Sequence, residues 1–215
     1  YWNVLDQHER GEPVRLWILK GRQLGISTLF AVLCFIHAAF RGANCLILPH
    51  REAPGKNMFA KVETAYLRLP GTKDGDTGVA LVSTPSTWHT GDVLKWNSVD
   101  YAGMVMRESA ENEDAGVSET FQHVHLTEPP LWKNTKHTMG GLLPTIPTAW
   151  GTSVVGEFTA RGEGDYTHGV WVDACAGESW ARPLFLPWYW LEEYSRERVA
   201  GDAPAFSRLT PPAPD

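Results

Sequence analysis

Between Leu19 and Leu29 the sequence runs Lys20-Gly21-Arg22-Gln23-Leu24-Gly25-Ile26-Ser27-Thr28, which combines glycines, cations and hydroxyls directly ahead of an apolar run. Holding a phosphate and its divalent cation takes backbone N–H groups at a helix N-terminus, a nearby positive charge and a hydroxyl. Laid on the G-x-x-x-x-G-K-[ST] pattern, Gly25 and Ser27 fall in place, whereas Lys20 stands at the first glycine and Ile26 at the lysine. The cation must then come from the front of the loop, where Lys20 and Arg22 are available, and Ser27 supplies the hydroxyl. The same letters also fit a strand-to-helix turn whose glycines serve geometry alone.

A second candidate group is acidic. Phe121-Gln122-His123-Val124-His125-Leu126-Thr127-Glu128 reads as a strand that delivers a carboxylate at its C-terminal end, the ligand side of an open α/β sheet. In a nucleotide hydrolase such a carboxylate orients the attacking water while neighbouring groups complete the Mg²⁺ shell. Glu128 is the candidate base, and Ser27, Thr127 and Glu128 are the candidate metal-shell residues. The plain competing reading is a surface glutamate at a strand end, followed by Pro129-Pro130. His123 and His125 share one strand face without a cysteine or carboxylate at ligand spacing, so satisfied core or edge histidines are expected rather than a metal site.

These groups need strands and helices to hold them. Val14 to Leu19 is a β-rich run, Ser27 to Phe40 an apolar helix, and Asn44 to Leu48 a short apolar strand closed by Pro49. Strand, glycine turn, helix, strand is a βαβ unit. The helix would span ~21 Å at ~1.5 Å per residue, short of the ~30 Å of a bilayer core, so it is read as buried and not membrane-spanning. Ala53 to Leu69 places Met58, Phe59, Val62, Ala65, Tyr66 and Leu69 on one helical face, with Lys56, Lys61 and Arg68 outward. Pro70 to Gly78 is turn-rich. Val93 to Trp96 and Tyr101 to Met106 flank a hairpin turn, and Phe121 to Leu126, Thr152 to Val155 and Pro183 to Trp188 supply further strands. Strands alternating with helices predict an α/β fold with a mostly parallel sheet flanked by helices.

Composition bounds the rest. At 215 residues, 43% hydrophobic, with 10 Trp, the chain is a globular protein of one large domain, or one domain plus a tail. Its 25 acidic residues against 19 Lys and Arg give a net charge of -6, which excludes the basic balance of an autonomous nucleic-acid binder. Any grip on DNA is therefore local or supplied by another domain. Cys34, Cys45 and Cys175 form no CxxC pair, so a reducing, cytoplasmic compartment is the default. The N-terminus lacks a signal peptide's features and reads as the start of a segment cut from a longer chain. Ala203 to Asp215, with four prolines, reads as linker or tail.

Taken together, Leu19 to Thr28, Ser109-Ala110-Glu111-Asn112 to Ala115-Gly116, and His125-Leu126-Thr127-Glu128 with Trp132 resemble, in order and spacing, the ATPase domain of tailed-phage large terminase subunits. Those enzymes carry a K-x-R-Q-x-G-x-S-T loop and a strand ending in L-[ST]-E before an aromatic. Glu157-Phe158-Thr159-Ala160-Arg161-Gly162 is similar to their E-S-T-A-N-G coupling motif, and Pro183-Leu184-Phe185-Leu186-Pro187-Trp188-Tyr189 to the F-x-P-W segment beyond it. The resemblance spans about Arg15 to Tyr194.

It implies a P-loop NTPase of the additional-strand type in residues 1–195, a linker or tail at 196–215, and ATP hydrolysis driving double-stranded DNA into procapsids in the cytoplasm of an infected bacterial host. It further implies ATP and Mg²⁺ as cofactors, with nucleotide contacts from Lys20, Gly21, Arg22, Gln23, Gly25, Ile26, Ser27 and Thr28. Glu128 activates water, and Thr159 couples hydrolysis to movement. The implied partners are a portal protein, a small terminase subunit and further copies in a ring, with no membrane. The nuclease domain of a full terminase does not fit in what remains after Trp188. Where relatives have A-G-R-G, this chain has Ala115-Gly116-Val117-Ser118, so the arginine acting on a neighbour's nucleotide is expected at Arg161 first and Arg107 second. The competing function is a nucleotide-binding structural or regulatory module whose catalysis has decayed. A superfamily 2 helicase fragment shares the loop and acidic strand, but no D-E-x-[HD] occurs.

Overall fold

Val14, Leu16, Trp17 and Ile18 are all buried, so the first strand, β1 (Val14–Lys20), is apolar on both faces, as a strand inside a covered parallel sheet must be. In the computed structural model, residues 7, 9–72, 81–89, 91–97 and 102–190 are described. The expected tail at 196–215 and much of the Pro70 to Gly78 loop lie outside them.

Helix α1 (Ile26–Arg41) follows Gly25, whose φ of 74° suits a residue without Cβ, and buries Ala31, Cys34, Phe35, Ala38 and Ala39 along one stripe. Strand β2 (Asn44–Leu48) and helix α2 (Glu52–Leu67) complete the expected βαβ unit, and Met58, Phe59, Val62 and Tyr66 of α2 face inward. The chain continues through β3 (Thr87–His89), β4 (Val93–Asn97), β5 (Ala102–Arg107), β6 (His123–Thr127), α3 (Thr135–Leu142), β7 (Ser153–Phe158), α4 (Tyr166–Cys175) and β8 (Arg182–Leu186). One eight-stranded sheet results, ordered β3-β4-β5-β2-β6-β7-β1-β8. From β5 to β8 neighbouring strands are parallel, and β3 and β4 add an antiparallel edge.

The two sheet faces build separate cores. Cys45 and Ile47 of β2 pack with α1 and α2, while Leu46 and Leu48 pack toward Met139 and Leu142 of α3 and Val170 of α4. The mostly parallel sheet flanked by helices is thus present. Among the described residues no helix is long and apolar enough to cross a membrane.

His123 and His125 are both buried, as expected of core histidines. His123 stacks on His37 of α1 at 3.8 Å between ring centroids, and its Nδ1 lies 2.9 Å from Ser153 Oγ. Burial, then the charges of His37, Arg41 and Arg15, hold the His123 pKa down at about 3. A depressed folded pKa means that below pH ~6.5 the unfolded chain takes up a proton the folded chain refuses, so stability falls as the pH drops toward 3. At pH 4.5 the loss traceable to His123 is on the order of 2 kcal/mol relative to pH 7. Urea unfolding at the two pH values, in the parent and in His123→Gln, checks this. The variant should lose distinctly less, and an equal loss in both would assign the acid sensitivity elsewhere.

Candidate active site

Side chains alternate along a strand, so Leu16, Ile18 and Lys20 of β1 point to the α1 face of the sheet, as do Val155 and Glu157 of β7 and His125 and Thr127 of β6. Register brings them level: Glu157 pairs with Thr127 on one side and with Ile18 on the other. Three parallel strands thus end together beneath the N-terminus of α1, the sheet edge where open α/β folds bind ligands.

A compact charged cluster occupies this spot. Lys20 Nζ lies 2.9 Å from Glu157 Oε2 and 3.4 Å from Glu128 Oε1. Ser27, in the first turn of α1, donates its hydroxyl to Glu157 Oε1 at 2.7 Å, and His125 Nε2 lies 3.5 Å from the same oxygen. Lys20 and Glu157 are buried, whereas the Glu128 side chain keeps 23% of its surface exposed and is reachable by water. Burial pushes the Glu157 carboxyl up, yet the adjoining His125 and Lys20 more than offset this and hold it below the usual carboxylate range. Removing one member of so buried a set leaves an uncompensated charge, a loss of about 3–5 kcal/mol.

Glu128 is held in place from several sides. Its carboxylate accepts the Thr159 N–H at 3.2 Å and the Thr159 hydroxyl at 3.4 Å. Its own N–H donates to the Glu157 carbonyl at 2.8 Å, and Trp132 Nε1 donates to the Thr127 carbonyl at 3.0 Å just upstream. Among the described residues, Gln23 and Glu128 are the two non-glycine residues with positive φ, at 59° and 49°. Such backbone costs on the order of 1–3 kcal/mol and concentrates at functional sites; here one lies in the loop and the other at the acidic strand end.

The loop itself matches expectation in position and differs in detail. Lys20 belongs to β1, and α1 starts at Ile26, one residue earlier than expected. Gly21 N–H donates to the Leu186 carbonyl at 3.0 Å, and a Cβ at Gly21 would sit 2.8 Å from Trp188 Cβ, so the segment after β8 closes over the start of the loop. Arg22 and Gln23 are exposed in the loop. Thr28 is turned away toward α2, where Lys61 Nζ donates to its hydroxyl at 2.6 Å. Arg161 is exposed in the loop that follows Thr159. Arg107 is different: buried, it donates from Nε to the Gly91 carbonyl at 2.6 Å and pairs with Glu52 and Asp92, so it is spent inside its own subunit. Val117 is exposed at 43%.

The structure brings together Lys20, Ser27, Glu128 and Thr159, the four site residues expected from the sequence. The sequence presents Glu157 only as part of the coupling motif, although a charged residue within the otherwise apolar run Val154 to Phe158 is a signal that could single it out.

No family model matches the sequence, and no curated protein matches it. Among solved structures, the chain is similar to an arginine-to-alanine mutant of the large terminase ATPase domain of Thermus phage P74-26, with a TM-score of 0.57 and 14% identity over 86% of this chain and 79% of that one. The α/β fold is thereby shared with a large terminase ATPase domain.

Proposed function

We propose that this chain is the ATP-hydrolysing motor domain of a viral large terminase, which drives double-stranded DNA into procapsids. The observation that carries the reading is the convergence of Lys20, Ser27, Glu128 and Thr159 at the ends of three parallel strands, with β7 inserted between the loop strand β1 and the acidic strand β6. The shared fold supports it.

In this reading the phosphates of ATP lie over Gly21 to Thr28, where the N-terminus of α1 and the cations Lys20 and Arg22 face them. Ser27, with Thr127 beside it, would hold Mg²⁺, and the ion would supply positive charge against the charge that develops on the phosphates. The donors fit that ion, which takes one or two carboxylates plus phosphates and water rather than an all-protein cage: Ser27 offers a hydroxyl, and the buried carboxylate of Glu157 lies 2.7 Å from it. Glu128 orients the attacking water, and Thr159, bonded to both its oxygens, transmits the change in charge to the loop carrying Arg161. Assembly with further copies, a portal protein and a small terminase subunit, in the cytoplasm of an infected bacterial host, completes the proposal. The net charge of -6 suits a ring subunit that touches DNA through a few side chains.

Ile26 at the usual lysine position and Val117 at the usual arginine position favour a second reading, a module that binds nucleotide without hydrolysing it. Calorimetric titration of Mg²⁺-ATP into the parent and Lys20→Ala tests the binding shared by both. Loss of a charged phosphate contact weakens affinity roughly 10- to 100-fold. Equal affinity in folded parent and variant would remove the forward lysine from the site. Phosphate release by the parent then separates motor from module.

A further inference from the structure

We propose that Glu157 is the carboxylate ligand of the nucleotide-bound metal ion, having taken over from the neighbouring strand the role that an aspartate beside the catalytic glutamate fills in other P-loop NTPases. The inference rests on the ATPase reading above and adds to it the specific part that Glu157 plays toward the ion.

P-loop NTPases hold Mg²⁺ between the loop Ser or Thr and an aspartate on the acidic strand. In this chain the residue before Glu128 is Thr127, a hydroxyl with no charge to offer. Glu157 is the register partner of Thr127 on the adjoining parallel strand, and both side chains leave the sheet on the α1 face. A glutamate one strand over, with its extra methylene, therefore presents a carboxylate in front of the position where the aspartate would stand.

Three observations fit that role. Glu157 Oε1 and Ser27 Oγ are 2.7 Å apart. Neighbouring ligands of an octahedral Mg²⁺ at 2.0–2.1 Å lie roughly 3 Å from one another, so the two oxygens are already spaced to share an ion once the hydroxyl proton turns away. Glu128, the other acid of the cluster, is committed to Thr159 through both its oxygens and hydrogen-bonds to no group on α1 that is described. Lys20 Nζ, 2.9 Å from Glu157 Oε2, is the internal cation that keeps the buried carboxylate paired.

That last contact has a functional consequence. An unpaired buried carboxylate is costly, so Glu157 releases Lys20 to the phosphates only when another cation replaces it. Mg²⁺ does so, and nucleotide binding becomes conditional on the metal. A purely structural Lys20–Glu157 pair carries no such condition: its loss changes affinity alike with and without metal.

The test is titration of the full chain with a fluorescent ATP analogue in excess Mg²⁺ and in EDTA, for the parent, Glu157→Gln and Glu157→Asp. The parent should bind at least about tenfold tighter with Mg²⁺. Glu157→Gln should lose most of that gain, while its affinity in EDTA stays equal or rises because Lys20 is set free. Glu157→Asp keeps the charge opposite Lys20 but withdraws the oxygens from Ser27, and should lose part of the gain; it keeps the test decisive if the glutamine variant does not fold. Mn²⁺ in place of Mg²⁺, followed by electron paramagnetic resonance, should show the nucleotide-dependent bound signal in the parent and its weakening in both variants. A parent-sized Mg²⁺ gain in either folded variant overturns the inference and leaves the ATPase reading standing. A parent that binds no nucleotide in either condition overturns both.

Discussion

Glu128→Gln should bind Mg²⁺-ATP within about threefold of the parent and hydrolyse it 10²- to 10⁴-fold more slowly, the range that a positioned acid–base group contributes. The reason lies in what the carboxylate does at each stage. In the resting site it accepts from Thr159 and faces Lys20, and a glutamine carbonyl can still accept the Thr159 N–H. The ground state therefore loses little, and the loss of one negative charge near the phosphates offsets some of it. The transition state needs a group that pulls on the proton of the attacking water, and an amide cannot. Partial exposure of the side chain admits that water, and the strained backbone at φ 49° aims the carboxylate out of the strand toward it. Steady-state phosphate release beside a nucleotide titration measures both quantities. Turnover within threefold of the parent would make Glu128 a structural acid that anchors Thr159.

Much of this geometry was legible in the sequence because it follows from alternation. Leu16, Ile18 and Lys20 must share a strand face once Val14 to Lys20 is extended, and an apolar helix after Gly25 must begin close to that face. The acidic strand was legible for the same reason, since Thr127 and Glu128 end a run of buried residues. What escaped was the last half of β7. The expected strand stops at Val155, before Gly156 and Glu157, whereas β7 runs on to Phe158. The glycine is there for a tertiary reason: a Cβ at Gly156 would lie 2.1 Å from the Trp17 ring. The charge of Glu157 is tolerable for another, since its partner Lys20 lies far away in sequence. Neither fact has a local signature. Helices α3 and α4 were also missed; Gly140 and Gly141 dilute the periodicity of the first. Their caps were nonetheless written in the letters: Asn134 Oδ1 accepts the His137 N–H at 3.4 Å, and Asp165 Oδ1 accepts that of His168 at 2.7 Å.

Arg161→Ala should retain nucleotide binding and lose about 10³- to 10⁵-fold in turnover, the value of an arginine that neutralises charge on the transferring phosphate. Val117 cannot serve at the position where the terminase resemblance calls for an arginine, and Arg107 is fixed in a buried network with Glu52, Asp92 and the Gly91 carbonyl. Arg161 remains: exposed, one residue beyond Ala160 in the loop that Thr159 ties to Glu128, and engaged with none of the described carboxylates by a hydrogen bond or ion pair. An exposed guanidinium next to one pocket is placed to reach the pocket of an adjoining copy, and mixing subunits tests that. Arg161→Ala subunits have a complete pocket and no donor; Glu128→Gln subunits have the donor and a dead pocket. Each alone should be inactive, and the mixture should hydrolyse ATP, because the first type's pocket receives Arg161 from the second. Inactivity of the mixture, with Arg161→Ala alone inactive, places Arg161 on its own subunit's nucleotide. Full activity of Arg161→Ala alone removes it from the mechanism and favours the nucleotide-binding module.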